Sequence, residues 1–407
     1  MAFSLPLLLL PPLPTPATAE TVQAAYGRAI GVTLKKTVAL TAGSNLSRPQ
    51  RLDLAIATPT SRPSRTSRYH QWQSVVALIF EVIAAKAAEE SLDLDIGSGV
   101  DVRIFIADTF VHRHGNPNLR FDGQEDEEKA QVKQGPIVDL PTIAHSDRHY
   151  SPIFAVESEE GGEVLGKFLH LLETNFNPVI ERVPGGTVLR HSRPGGTLPH
   201  GISSPVPDPD LNHRSVAVGG TFDHLHIGHK LLLFGAALAT TTKGERQITI
   251  GITGDELLKN KKFAEVIESW DTRQQRVAEF IESLLIFSPS GAVPRIERGS
   301  EPVANGMFVK HYFPSGLTID YVQISDPFGP TITDEEITAL VISAETRAGG
   351  AAVNQKREEK GWKPLEILEI SVLDTQAAQN ASKNLNPEDF QNKISSTAIR
   401  QRISQAS

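Results

Sequence analysis

Two histidines three positions apart, His226 and His229, follow the turn Gly219-Gly220-Thr221-Phe222-Asp223 and lead into an apolar run. Histidines at this spacing share one face of the first turn of a helix. Gly219 and Gly220 let the backbone reverse sharply and let a ligand approach with no Cβ in the way. A helix N-terminus behind such a turn offers free N–H groups and the positive end of the helix dipole, which suits a nucleotide phosphate. A second group is Ile394-Ser395-Ser396-Thr397, with Arg400 one turn further on. Three hydroxyls and their N–H groups at a helix start can bind β- and γ-phosphates, although a Ser or Thr there is ordinarily a cap. Asp255 and the basic run Lys259, Lys261, Lys262 follow a strand's C-terminal end, the edge at which α/β sheets gather ligands.

These groups describe nucleotidyl transfer. A nucleophile attacks the α-phosphorus of a nucleoside triphosphate in line, and pyrophosphate leaves. If the attacking atom is a phosphate oxygen, no general base is required. The protein then works by positioning and by neutralising charge on phosphate oxygens. Thr221, His226 and His229 are expected to stabilise the α-phosphate, and Ser395, Ser396 and Thr397 to hold the leaving pyrophosphate. A lysine of the basic run, Lys261 or Lys259, is expected to anchor the incoming phosphate. Mg²⁺ is expected with the nucleotide. The rival reading of the histidines is zinc, which needs a full ligand set. His224 points elsewhere and no third ligand is evident nearby. A near match to a phosphate-binding loop, Gly161 to Phe168, ends in Phe168 where a hydroxyl should hold Mg²⁺, and four glutamates surround it. An ordinary helix start accounts for it.

The elements that must position these residues read as a doubly wound α/β fold. Val216 to Val218 is a short apolar run of the kind found in parallel sheets, followed by a helix from about Leu225 to Thr241. Further strands are expected at Arg246–Thr253, Leu317–Ile324, Ile337–Thr346 and Leu365–Leu373. Helices are expected at Trp270–Ile286, after an N-cap at Thr333, at Ala348–Lys360 and from Ile394 to Ile403. Residues 288–316 read as irregular. Upstream, Leu5–Leu10, Arg51–Ala57, Val100–Ala107 and Ser151–Val156 read as strands. Helices at Thr18–Val38, Tyr69–Glu90 and Glu163–Asn175 come between or after them, so a parallel βαβ domain precedes the nucleotide-binding one. The boundaries are residues 1–175 for the first domain with a polar loop at 112–150, 176–211 for a Pro/Gly-rich linker, and 212–407 for the second domain.

Composition bounds the rest. The 407 residues carry a formal net charge of −8, which argues against a nucleic-acid partner held by bulk electrostatics. There is no cysteine, so disulfides, zinc–thiolate sites and thiol nucleophiles are excluded. The leucine run at Leu5–Leu10 lacks preceding Lys or Arg and is interrupted by proline. It reads as a buried strand, not a targeting segment, and no stretch is long enough to span a bilayer.

The stretch Val218-Gly-Gly-Thr-Phe-Asp-His-Leu-His, continued by His226-Ile-Gly-His229, resembles the HxGH nucleotidyltransferases. It is most similar to the eukaryotic, fungal type of phosphopantetheine adenylyltransferase. Other matching stretches, in the same order along residues 213–403, are Gly254 to Lys261, Asp326-Pro-Phe-Gly-Pro330, Val341 to Thr346 with Gly349-Gly350, Val353-Asn354, and Ile394 to Thr397. The resemblance implies transfer of the adenylyl group of ATP to 4′-phosphopantetheine, giving dephospho-coenzyme A and pyrophosphate. It implies that Thr221 and His229 touch both substrates' phosphates and that Gly220, Phe222 and His226 line the nucleotide site. Gly219, Asp223 and Asp255, then Ser343, Glu345, Thr346 and Arg347, are further expected substrate contacts. The animal enzymes carry Tyr-Arg-Gly-Gly where this chain has Arg347-Ala-Gly-Gly, which shifts the arginine by one position. A monofunctional, cytoplasmic and also nuclear enzyme is expected, with other coenzyme A biosynthesis enzymes as partners. A non-catalytic scaffold for those enzymes, or a transferase acting on another small phosphate, is the alternative.

Overall fold

The computed structural model describes residues 5–40, 48–58, 69–94, 99–109, 134–173, 176–186, 213–287, 293–300, 306–371, 390 and 393–406. They form two sheets. The first takes β1 (Leu5–Leu10), β2 (Gln50–Thr58), β3 (Val100–Asp108), β4 (Ile137–Asp139), β5 (Tyr150–Glu157) and β6 (Ile180–Pro184) in the order β4-β3-β2-β1-β5-β6, all parallel. Helices α1 (Ala19–Leu40), α2 (Tyr69–Glu89), α3 (Leu140–Ala144) and α4 (Glu159–Leu171) connect them. The leucines of β1 are buried because it is an inner strand covered on both faces, which explains its unbroken apolar run. Thr18 begins α1: its Oγ1 accepts from the backbone N–H of Thr21 at 3.3 Å.

The second sheet contains β7 (Ser215–Gly220), β8 (Arg246–Thr253), β9 (Arg295–Ser300), β10 (Met307–Tyr312), β11 (Leu317–Ile324), β12 (Ala339–Ile342) and β13 (Glu366–Glu369). Its order is β13-β12-β7-β8-β11-β10-β9. The five strands from β13 to β11 are parallel, and β10 and β9 add on antiparallel. Helices α5 (Ile227–Ala239), α6 (Trp270–Leu285), α7 (Arg347–Glu359) and α8 (Ser396–Ala406) complete this half.

Several expected boundaries move. Helix α4 starts at Ser158, whose hydroxyl accepts from Gly161 N–H at 3.0 Å, so the near match to a phosphate loop lies in the helix body with its N–H groups already used. Strand β6 falls in the stretch read as linker, and β4 with α3 falls in the stretch read as polar loop. The acidic run at 122–129, the Pro/Gly-rich stretch from 187 to 212 and Asn175 lie outside the described residues. Residues 288–316 are not irregular throughout, because β9 and β10 extend the sheet there. No helix starts at Thr333. Asp326 instead accepts from the N–H groups of Phe328 and Gly329 at 2.8 and 2.9 Å and opens a 3-10 turn, Gly329–Ile332. The strand expected to reach Thr346 stops at Ile342, and Ala344–Thr346 is a 3-10 turn running into α7.

The two sheets share one core. Helix α5 is buried on nearly every face, which a helix that is apolar all round requires. It packs between its own sheet and α2 of the other half, joining Val76, Ile79 and Phe80 to Leu233, Ala237 and Phe280 in one cluster. Gly235 permits the close approach, since a Cβ there would lie 2.9 Å from Tyr69 Oη. Polar ties reinforce the packing. Arg103 of β3 donates to Glu279 O at 2.6 Å, and Arg148 donates to Ser283 O and Ile286 O at 2.5 and 2.9 Å. Two guanidinium groups of the first half thereby cap the carbonyl end of α6, where the helix dipole favours positive charge. Among the described residues no helix is long and apolar enough to cross a membrane.

Candidate active site

The site is built at the C-terminal edge of β7. Gly219 and Gly220 end the strand, paired with Gly251 and Ile252 of β8, and Gly219 is exposed at the sheet edge. The turn then passes through two non-glycine residues with left-handed backbone, Phe222 (φ 52°) and His224 (φ 45°). Each costs on the order of 1 kcal/mol, and such strain collects where surrounding contacts over-determine the backbone. Phe222 is fully buried, and its ring leaves only 3.2 Å for a Cβ on Gly220. Its side chain therefore supports the turn and presents no surface to a nucleotide.

Asp223, also fully buried, holds the turn from beneath. Its carboxylate accepts from Glu268 N–H at 2.9 Å and from Arg400 Nη1 at 2.8 Å. Arg400 donates in addition to Lys262 O at 3.0 Å and is nearly buried. Asp223 and Arg400, expected as substrate contacts, are thus an internal tie between the glycine turn, the basic loop and α8.

His226 is the N-cap of α5, so the helix begins two residues later than expected. Gly228 N–H donates to His226 Nδ1 at 3.1 Å, which leaves the ring proton on Nε2. Nε2 then donates to Ser396 Oγ at 2.9 Å. This contact joins the glycine turn to the hydroxyl run across 170 residues of sequence. His229 stacks on His226 with ring centroids 3.9 Å apart and planes at 28°, and its Nδ1 is buried without a hydrogen-bond partner. Burial pushes the His226 imidazole down to about 3, helped by His224, Lys230 and Arg400. Burial likewise holds His229 well below the ordinary histidine value, with His226 and Lys261 adding to the effect. Both rings are neutral at neutral pH; the one N–H of His226 is committed to Ser396, while that of His229 is left to offer to a phosphate oxygen.

Lys261 Nζ donates to Thr221 Oγ1 at 2.9 Å, which brings the lysine to the glycine turn. Burial, then the charge of Arg400, lowers the Lys261 ammonium below its ordinary value. Lys259 is turned away and pairs with Glu256 at 2.6 Å. Asp255 is largely exposed, 3.9 Å from Arg273. Sequence reasoning missed Arg273. Its guanidinium is fully buried and donates to Glu268 O, Thr221 O and Thr253 O at 2.9, 2.7 and 2.8 Å, while Nη2 has no hydrogen-bond partner. The signal was present: Arg273 interrupts the buried stripe Trp270, Gln274, Val277 of α6.

Ser343, Glu345, Thr346 and Arg347 follow β12, the neighbour of β7, and so occupy the same sheet edge. Ser343 and Thr346 form a reciprocal cap, Ser343 N–H donating to Thr346 Oγ1 at 3.2 Å. Arg347 is exposed and clamps Glu369 through two bonds of 2.5 Å. Ser395 and Thr397 flank Ser396 at the start of α8, and Thr397 Oγ1 accepts from Arg400 at 3.3 Å. Ile394 is half-buried just before them.

Among the described residues one group has metal-ligand proximity: Asp223, His224 and Glu268 bring ligand atoms within 4.8 Å of one another. It contains neither His226 nor His229, the pair for which zinc was the rival reading, and its groups are already committed. Asp223 serves Arg400, Glu268 accepts from His224 N–H at 2.9 Å and Arg276 at 2.8 Å, and His224 Nε2 donates to Val266 O at 2.9 Å.

Residues 217–402 match the family described as cytidylyltransferase-like, and residues 1–189 match a domain of unknown function, DUF8446. An uncharacterized protein of Schizosaccharomyces pombe is 35% identical over 195 residues, 48% of this chain and 49% of its own length. The phosphopantetheine adenylyltransferase of Saccharomyces cerevisiae is 35% identical over 182 residues, 45% of this chain and 49% of its own. That of Pyrococcus abyssi is 30% identical over 175 residues, covering 43% of this chain and 89% of the archaeal protein. The chain spans about half the length of the two yeast relatives and most of the archaeal one. With a cytidylyltransferase-like domain and these relatives, the chain belongs to the phosphopantetheine adenylyltransferase family of nucleotidyltransferases.

Proposed function

We propose that the chain transfers the adenylyl group of ATP to 4′-phosphopantetheine, releasing pyrophosphate and forming dephospho-coenzyme A. The observation that carries this reading is the contact between His226 and Ser396, which makes one phosphate site out of the glycine turn and the hydroxyl run. The similarity to the phosphopantetheine adenylyltransferases of Saccharomyces cerevisiae and Pyrococcus abyssi suggests the acceptor.

In this reading the phosphate of 4′-phosphopantetheine attacks the α-phosphorus, a new P–O bond forms, and the bond to the β-phosphate oxygen breaks. No proton needs to move, so neutral histidines are suited to the task. His229, whose ring feels the charge of Lys261, joins Lys261 and its partner Thr221 as a donor set for the α-phosphate. Donors fixed before the reaction stabilise developing charge without reorganisation. His226 acts mainly through Ser396, holding the N-terminus of α8 where the leaving pyrophosphate needs its N–H groups and hydroxyls. Mg²⁺ enters as part of MgATP and offsets charge on the leaving group. The buried carboxylate of Asp223 is occupied by Arg400, so the metal's ligands are expected from the nucleotide and water.

The test is product identification. Incubation of the full chain with MgATP and 4′-phosphopantetheine, followed by mass spectrometry, is expected to give dephospho-coenzyme A. Equal or greater conversion with CTP, or with nicotinamide mononucleotide as acceptor, would contradict the assignment.

A further inference from the structure

We propose that residues 92–94, just after α2, and residues 100–102, at the start of β3, form a positioning element for the phosphate site, holding both of its halves at once. The proposal rests on the adenylyl-transfer reading for its kinetic consequence but on geometry for the bracing itself. Lys230 follows His229 directly, is 1% exposed, and reaches out of its own sheet's half. Its Nζ donates to Asp101 Oδ1 at 2.7 Å and to Val102 O at 3.1 Å. Lys393 and Arg402 lie on either side of the hydroxyl run. Lys393 Nζ donates to Leu92 O at 2.6 Å, and Arg402 Nη1 to Asp93 Oδ1 at 2.7 Å. Lys393 also lies 3.7 Å from Asp93.

The two anchor points belong to one closed structure. Val100 N–H donates to Asp93 O at 3.0 Å, and Leu94 bridges to Val100. Gly99 is pressed so close that a Cβ would meet Asp93 O at 2.3 Å. Asp93 and Asp101 are therefore held in fixed relation. A buried lysine is costly unless its charge is met, so Asp101 fixes the start of α5 in place and with it His229. Leu92 and Asp93 fix α8, so the spacing of His226 and Ser396, tied from within by Asp223 and Arg400, is braced from the other half as well. Asp93 is a positioning residue that acts through Lys393 and Arg402.

The test uses Asp93→Ala in the full chain. The side chain of Asp93 is 42% exposed, so its loss is compatible with folding. The KM for ATP is expected to rise about fivefold while that for 4′-phosphopantetheine stays within about twofold, and Asp93→Glu should restore the parent value. Hydrogen exchange across residues 396–406 should accelerate by about tenfold. Glu181→Ala, which removes only the half-buried partner of the exposed Lys36, should change neither readout. Unchanged exchange and KM in Asp93→Ala would overturn the proposal, as would an equal rise in both KM values with a lowered Tm. If the parent chain does not turn over these substrates yet exchange at 396–406 accelerates in Asp93→Ala, the brace stands and the adenylyl-transfer reading falls.

Discussion

Strands β1 and β7 hold the same place in their sheets. Each is an inner strand with the next strand of the sequence on one side and, on the other, a strand added after the chain reverses direction. In open α/β sheets the crevice at such a reversal is where ligands bind. The turns that leave the two strands differ. After β7 come Gly219 and Gly220, an exposed strand end and a helix N-terminus. After β1 come Pro11, Pro12, Pro14 and Pro16, which lack N–H groups, and Tyr26 Oη closes the turn by donating to Pro11 O at 2.8 Å. The same topology thus yields an open glycine turn in one half and a sealed turn in the other. Turn chemistry, rather than fold, decides which sheet can take a nucleotide.

The comparison breaks most visibly at His229. His229→Ala should lower kcat/KM by about 10² to 10³, on the order of 3–4 kcal/mol, as loss of a preorganised donor does. Steady-state pyrophosphate release measures it, and near-parental turnover would remove the role assigned to the ring.

Acid should destabilise the chain through the same pair. Both histidines are lowered in the folded state, so above the ordinary value of 6.5 both states are neutral and stability is flat with respect to them. As pH falls below 6.5, the unfolded chain binds protons that the folded chain refuses, and stability is lost. For His226 that loss continues toward its folded value of about 3. The slope is at most about 1.4 kcal/mol per pH unit for each histidine, and chemical denaturation between about pH 7 and 5 reads it. His226→Gln should remove one histidine's share. Bound MgATP should oppose the effect, because a nearby polyanion favours the protonated ring.

Ser396→Ala strips His226 of its acceptor and is expected to cost about 1–3 kcal/mol, divided between stability and turnover, since a buried N–H is left unpaired. The smallest effect belongs to the other turn. Pro12→Gly should leave activity unchanged and lower stability by less than about 1 kcal/mol, chiefly through unfolded-chain entropy. A gain of nucleotide binding by that variant would show that proline, not the rest of the turn, seals the crevice.

Much of this was legible in the sequence because it is local. The apolar runs of β1, β8 and β11, the glycine turn and the helix of Ile227–Ala239 each arise from composition within about ten residues. Strand β9 was not legible, because Arg295-Ile-Glu-Arg-Gly-Ser300 is polar on the exposed edge of a sheet and lacks a buried face to impose alternation, whereas β10 does alternate, burying Val309 and His311, a signal too short to stand out beside the glycines and prolines around it. Strand β6 hid among prolines for the same reason. At the site, His226, His229, Thr221, Lys261 and Ser396 come together as their types suggested. Phe222, Asp223 and Arg400 proved to be supports beneath the turn, a distinction of burial that residue type does not carry. Arg273 did leave a trace, a charge within the buried stripe of α6, whereas the Lys230–Asp101 pair escaped because its two residues meet only across the two halves of the fold.

The most direct test of the contrast between the two crevices is calorimetric titration of a non-hydrolysable ATP analogue with Mg²⁺ into the full chain and into His229→Ala. One site per chain in the parent, lost or greatly weakened in the variant, is the predicted result. Two sites, or a single site that His229→Ala leaves untouched, would place the nucleotide elsewhere and contradict the account.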